Sequence, residues 1–270
     1  MKERLDVFLL NNGYYKTRNK ARLAIENGDL LVNDQIITKV SYKVDENDKI
    51  KILKESIPYV SRGGLKLEKA LQSFCVDVNN KVCLDIGAST GGFSDCLLQN
   101  NANVVYALDV GTNQLDETLK NNNKIISIEN TNFRNIDINL YKSYNLEIIT
   151  ADVSFISLTY LFENVSKILN KEGYFIALIK PQFEVLKKEH NKNGVVNDKK
   201  LHNKIIKNII ENANKYNLIL NKLIYSPIRG EKSGNIEYLS LFSFKEKNIN
   251  LLDVNDIIEL AFKELRWLYD

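Results

Sequence analysis

The 270-residue sequence predicts an α/β chain: a doubly wound, mainly parallel sheet with a small α+β module ahead of it. Three observations predict this. From Lys81 onward, short apolar runs of strand length alternate with helical stretches, the mark of strand–helix–strand crossovers. The first of these runs passes through a glycine-rich turn, VCLDIGASTGGFSDCLL, directly into a helix. Before Lys81 the pattern differs, with helical spacing first and brief alternating stretches after it.

In the N-terminal module, Leu5, Phe8 and Leu9 have i, i+3, i+4 spacing for one helix. Thr17 starts a second, TRNKARLAIEN, with Ala21, Ala24 and Ile25 inward and Gly28 as its stop. LLVNDQIITKVSYKV then alternates, with a turn at Asn33–Asp34. The connector ESIPYVSRGG carries Pro58 and divides the chain into a module at 1–56, a linker at 57–61 and a larger domain at 62–270. In that domain VCLDIG, NVVYALDV, KIISI, LEIITA and YFIALI read as strands, with helices near 91–100, 114–120 and 157–169. A polar helix over 198–216, a strand near 218–225, the strand EYLSLFSF and an amphipathic terminal helix complete the pattern.

Composition narrows the chemistry. A net charge of +3, from 37 basic and 34 acidic residues, permits a nucleic-acid partner but demands a local basic face to argue for one. Lys16, Arg18, Lys20 and Arg22 form such a cluster at the start of the second helix. Cys75, Cys83 and Cys96 have neither metal-ligand spacing nor an even count, and their apolar neighbours mark them as reduced core residues. The two histidines, His190 and His202, lie in polar sequence, so no triad and no metal site is expected. The N-terminal apolar run, Val7–Leu10, is far below the roughly 7–15 residues of a signal core. No stretch approaches the roughly 18 apolar residues of a membrane span, and a soluble, cytoplasmic protein is expected.

The turn has the spacing D-x-G-x-x-x-G-G, on Asp85, Gly87, Gly91 and Gly92, with Ser89 and Thr90 where a dinucleotide fingerprint would have another glycine. It is similar to the first motif of S-adenosylmethionine-dependent methyltransferases, and Asp109 ends the next strand where an acid can bond cofactor ribose hydroxyls. Asp152 and Lys180 stand at the tips of the fourth and fifth strands, and carboxyl ends of such strands form the ligand crevice. A lysine that removes a proton must be neutral, and at a pKa of about 10.4 only about 0.04% is neutral at pH 7. Desolvation or a second cation moves that balance, so a second cation and a second acid are expected near Lys180. Lys66, in YVSRGGLKLEKAL, and Glu237, in SPIRGEKSGNIEYLSLF, could supply them.

Residues 2–54 resemble the S-four-type RNA-binding domain, through Arg4-Leu5-Asp6, Thr17-Arg18-Asn19-Lys20-Ala21, Ile25, Gly28 and Val32-Asn33. The resemblance implies RNA contacts by Arg4, Lys16, Arg18, Lys20 and Arg22, joined by Arg62 after the linker. With SRGGLKLEKAL, DIGASTGGFSD, ALDVG, TNFR, ADVSFISL, LIKPQFE and GNIEYL, the chain is identified as a member of the TlyA family, with kinship to FtsJ-type RNA ribose methyltransferases. That implies a Lys66, Asp152, Lys180, Glu237 tetrad, with Lys180 acting at a ribose 2′-hydroxyl. It implies S-adenosylmethionine as cofactor, held by Asp85, Gly87, Ser89, Thr90, Gly91, Gly92, Phe93, Asp109 and Asn132. The implied reaction is cytidine 2′-O-methylation of ribosomal RNA, 23S and in some members also 16S. A monomer with no membrane or obligate protein partner is the default expectation. After KPQFE this chain has VLKKEHNKNGVV where the family tends toward a VGKGGVV-like segment. Two other readings are an RNA-binding assembly factor with a vestigial cofactor fold and a membrane-active haemolysin.

Overall fold

In the computed structural model, which describes residues 2–15, 17–26, 28–53, 57–185, 189, 194–230, 234–245 and 253–265, the chain divides between Pro58 and Tyr59 into two units. The first opens with β1 (Glu3–Arg4) and α1 (Leu5–Asn11), and Leu5, Phe8 and Leu9 are buried as their spacing predicts. Thr17 Oγ1 accepts the Lys20 amide at 3.2 Å and caps α2 (Arg18–Glu26), whose Ala21, Ala24 and Ile25 share a core with α1. β2 (Leu30–Val32) and β3 (Gln35–Ile36) pair across Asn33 and Asp34, both at positive φ, a backbone suited to the strand twist of a tight hairpin. β4 (Lys43–Val44) pairs with β1, and β5 (Ile50–Ile52) pairs with β2.

The second unit begins two residues into the expected linker. Tyr59 is buried, and the Val60 amide donates to Asp95 Oδ2 at 2.8 Å, so these residues are built into the larger fold. Its elements are α3 (Gly63–Phe74), β6 (Val82–Ile86), α4 (Gly92–Gln99), β7 (Val104–Leu108), α5 (Glu117–Lys120), β8 (Ile125–Ile128) and α6 (Ile138–Ser143). There follow β9 (Leu146–Ala151), α7 (Phe162–Ile168), β10 (Leu169–Ile179), α8 (Pro181–Glu184), α9 (Lys199–Asn214), β11 (Ile219–Tyr225), β12 (Tyr238–Ser243) and α10 (Val254–Glu264). The seven strands lie in the order β11-β12-β10-β9-β6-β7-β8. From β10 to β8 all neighbours are parallel, whereas β12 is inserted antiparallel between β10 and β11. Central β6, β9 and the part of β10 from Phe175 onward are covered on both faces, which is why they read as nearly continuous apolar runs. Phe162, Phe175 and Phe242 pack edge and face in the core beneath them.

Several local expectations change. The helix expected over 157–169 divides into a 3-10 turn, Leu158–Tyr160, and α7, and β10 starts at Leu169 rather than Tyr174. The stretch 114–120 yields only α5, capped by Asp116, and α6 appears unforeseen behind an Asp137 cap. Pro181 stands at the first position of α8, which its fixed φ suits. Cys75 is exposed rather than in the core, because it is the left-handed cap of α3; Cys83 and Cys96 are buried. His202 is fully buried despite its polar sequence, between Tyr238 Oη at 2.7 Å and the Val196 carbonyl at 3.0 Å. His190 lies outside the described residues, as does most of the charged segment after KPQFE.

Candidate active site

The strand register brings the chemistry together. Ala151 pairs with both Ala177 and Ile86, so the tips of β6, β9 and β10 end at one edge. Ile179 pairs with Tyr238, which puts Glu237 beside the Lys180 end of β10. The chain leaves β6 through Gly87 at φ +78°, where a Cβ would stand 3.0 Å from the Asp152 carbonyl oxygen. Glycine is needed there on both counts.

At that edge a cleft of about 550 Å³ is lined by Lys66, Asp152, Lys180 and Glu237, by the glycine-rich turn and by Arg62. Lys180 Nζ lies 2.6 Å from Asp152 Oδ1 and donates to Ser154 Oγ at 2.9 Å. Lys66, on the inward face of α3, is buried with its Nζ 2.6 Å from Glu237 Oε2. Gln182 Nε2 donates to the other Glu237 oxygen at 3.2 Å. The four residues expected together therefore share one cleft as two ion pairs. The expected second cation arrives already neutralised by its own acid.

The surrounding contacts were not foreseen. Glu184 reaches back to the loop after β9, accepting from Ser157 Oγ at 2.6 Å and from the Leu158 amide at 2.8 Å. Burial raises the Glu184 carboxyl above its ordinary value, against those two bonds. Phe155, 80% exposed and at φ +67°, meets Phe183 with ring centroids 5.1 Å apart, and both rings line the cleft. Buried Asn235 accepts the Val196 amide at 2.9 Å and donates to the Gly194 carbonyl at 3.1 Å, tying that rim of the cleft to the approach to Glu237. Nothing in sequence marks a phenylalanine at positive φ, a backbone that asparagine adopts far more often in this chain, and the polar residues Ser157, Glu184 and Asn235 were the available signal for the rest.

Among the residues expected to hold a cofactor, Gly87, Ser89, Thr90, Gly92 and Phe93 line the cleft. Asp109 accepts the Ser89 amide at 2.8 Å and the Gly111 amide at 2.7 Å, beside a small recess it shares with Gln114 and Glu129. Asp85 departs from expectation. It is fully buried, and its two oxygens accept from Ser94 Oγ at 2.7 Å and Thr150 Oγ1 at 2.8 Å, so it braces the turn from behind. Burial raises its pKa to about 6, against those hydrogen bonds. Gly91 caps α4 behind the cleft lining, and Asn132 is used locally, accepting the Arg134 amide at 3.1 Å. The residues fit S-adenosylmethionine: its ribose hydroxyls need acceptors such as Asp109, and its cationic centre suits a cleft edged by Asp152.

Of the basic residues expected to meet RNA, Arg4 and Arg18 converge on Asp6, Arg22 pairs with Glu26 at 2.9 Å, and Lys20 Nζ donates to the Ile57 carbonyl at 3.1 Å. Arg62 lies in the second unit, where Nη2 donates to the Arg229 carbonyl at 3.2 Å. Lys16 lies outside the described residues.

Residues 59–244 match the FtsJ-like methyltransferase family model. The chain belongs to that family. Residues 3–50 match the S4 domain. Among similar proteins, Hemolysin A of Brachyspira hyodysenteriae is 43% identical over 88% of this chain and 99% of its own. The 23S rRNA (cytidine-2'-O)-methyltransferase TlyA of Campylobacter jejuni is 40% identical over 82% of this chain and 92% of its own. A solved structure from Streptococcus thermophilus is 37% identical, covers 98% of this chain and 97% of that one, and has a TM-score of 0.75. The FtsJ-like match begins at Tyr59, where the second unit begins, and runs past every residue that lines the cleft.

Proposed function

We propose that the protein is an S-adenosylmethionine-dependent methyltransferase that methylates a cytidine 2′-oxygen of ribosomal RNA, the activity named for the Campylobacter relative. The observation that carries the reading is the pair of ion pairs, Lys180–Asp152 and Lys66–Glu237, meeting in one cleft beside the glycine-rich turn. S-adenosylmethionine supplies an electrophilic methyl group on a sulfonium. Gly87, Ser89 and Thr90 would cradle it, and Asp109 would accept from its ribose hydroxyls. Lys180, once it has itself lost a proton, would take the proton of the 2′-hydroxyl as its oxygen bonds the methyl carbon and the methyl–sulfur bond breaks, the electron pair leaving on sulfur as a neutral thioether. Asp152 and Ser154 hold that amine in direction, while Lys66, Glu237 and Gln182 fix the cleft beside it. Phe155 and Phe183 offer aromatic faces to a base turned out of its stack.

The S4 match supports RNA as the substrate, and the Campylobacter relative's name supports ribosomal RNA. The proposal is a monomeric enzyme acting on ribosomal RNA or a ribosomal subunit in the cytoplasm. A vestigial cofactor fold is opposed by the intact ion pairs. A membrane-active haemolysin draws on names alone, those of the Brachyspira relative and of the solved structures from Streptococcus thermophilus and Lactococcus lactis. Among the described residues no helix is long and apolar enough to cross a membrane.

Labelled-methyl transfer to ribosomal subunits, followed by mapping of ribose methylation, tests the proposal. Lys180→Ala is expected to abolish transfer while S-adenosylmethionine binding stays within a few-fold. Normal turnover by that variant overturns the assignment of Lys180, and absence of transfer by the wild-type protein overturns the function.

A further inference from the structure

Two guanidinium groups converge on one buried carboxylate in the first unit. Asp6 is 2% exposed. Arg4 Nε donates to Asp6 Oδ1 at 2.9 Å and its Nη2 to Oδ2 at 3.4 Å, while Arg18 Nε donates to Oδ2 at 2.7 Å. Both arginine side chains stay open to solvent, at 43% and 56% exposure, and they line a cleft of about 630 Å³ with Asn19, Arg22 and Ser41. Arg22 itself is held by Glu26. Burial pushes the Asp6 carboxyl up, and the two guanidiniums more than offset it, so its pKa lies below the ordinary value.

A buried acid is an odd component for a surface that meets a polyanion. It removes one unit of the positive charge that non-specific RNA binding uses. Its geometric effect runs the other way. A free arginine fork samples many directions, and fixing the Nε edge on a carboxylate sets the plane of the guanidinium and turns the remaining N–H groups outward. Two forks held on one carboxylate share an origin and stand ready for the planar, bidentate bonds that phosphate oxygens accept.

We propose that Asp6 is a positioning residue that holds Arg4 and Arg18 as a paired fork for one RNA phosphate. The first unit then reads a backbone phosphate at a defined place instead of attracting RNA by diffuse charge. The proposal rests on the RNA-binding reading of this unit and names how that site is organised.

The test uses the sign of the effect. Asp6→Asn raises the net charge by one, so diffuse attraction predicts tighter binding of a labelled RNA hairpin by the full chain. Positioning predicts binding weaker by about threefold to tenfold, the cost of re-ordering loosened side chains on binding. Arg18→Ala should then cost less in the Asp6→Asn background than in the wild type. Asp6→Glu, which keeps the charge and moves the carboxylate, should weaken binding as well; it decides the matter if Asp6→Asn proves unfolded by circular dichroism. Unchanged or tighter binding by the folded Asp6 variants overturns the proposal and leaves the RNA-binding reading standing. If Arg4→Ala and Arg18→Ala leave wild-type affinity unchanged, the RNA-binding reading falls with it.

Discussion

Lys66 and Glu237 are 171 residues apart in the chain and 2.6 Å apart in the cleft, with side chains 9% and 3% exposed. Glu237 also accepts from Gln182, two residues beyond Lys180, and a Cβ on Gly230 would stand 2.7 Å from its Oε1. Desolvating two charges consumes much of what their attraction returns. The pair is therefore better understood as a fixed wall for the reaction than as a source of stability.

That view separates stability from activity. Removing one partner leaves a buried charge uncompensated, so Lys66→Ala or Glu237→Ala should lower unfolding stability by about 3–5 kcal/mol. The double variant Lys66→Met/Glu237→Leu should regain most of that loss in urea titrations, yet remain inactive in methyl transfer. Recovery of turnover by the double variant would reduce the pair to a packing element.

Asp85 should leave a signature in the pH dependence of stability. Its folded pKa is raised to about 6 from 3.8, so the folded state keeps a proton that the unfolded state releases. The stability contributed is fully present below the unfolded value and lost as pH rises through about 6. Between pH 7 and pH 4 the wild type should therefore gain on the order of 2 kcal/mol relative to Asp85→Asn. Parallel pH profiles for the two proteins would show that Asp85 titrates normally.

Phe155 has its ring in solvent and its backbone in the left-handed region, which suits a surface awaiting a partner. If a base stacks there, Phe155→Ala should lower kcat/KM for RNA by the about 1–3 kcal/mol such contacts contribute, with cofactor affinity unchanged. Phe155→Trp should keep most activity, and Phe155→Asn, which tolerates the backbone, should lose as much as alanine. Equal activity of all three variants would remove the stacking role.

Much of the architecture could be read in advance because its causes are local. Alternation of apolar runs marked β6, β7, β8, β9 and β10, and the turn from Asp85 to Gly92 stood out because close backbone approach requires glycine. The tips of β9 and β10 marked Asp152 and Lys180 as neighbours, since parallel strands end on one edge. Side-chain direction was beyond reach. Asp85 and Asp109 both look like cofactor ligands in the sequence, yet one turns into the core and the other faces a recess.

By itself, then, the sequence determined two modules, a mainly parallel sheet, a glycine-rich turn and a set of acids and amines at strand ends. Those features depend on residue period and backbone sterics, which act over a few neighbours. Only the tertiary structure decided which acid meets which amine, that Glu184 latches the loop after β9, and that Asp6 gathers two arginines. Such contacts depend on strand register and on the antiparallel insertion of β12 beside β10, and a shift of one residue would turn every side chain of that strand to the other face.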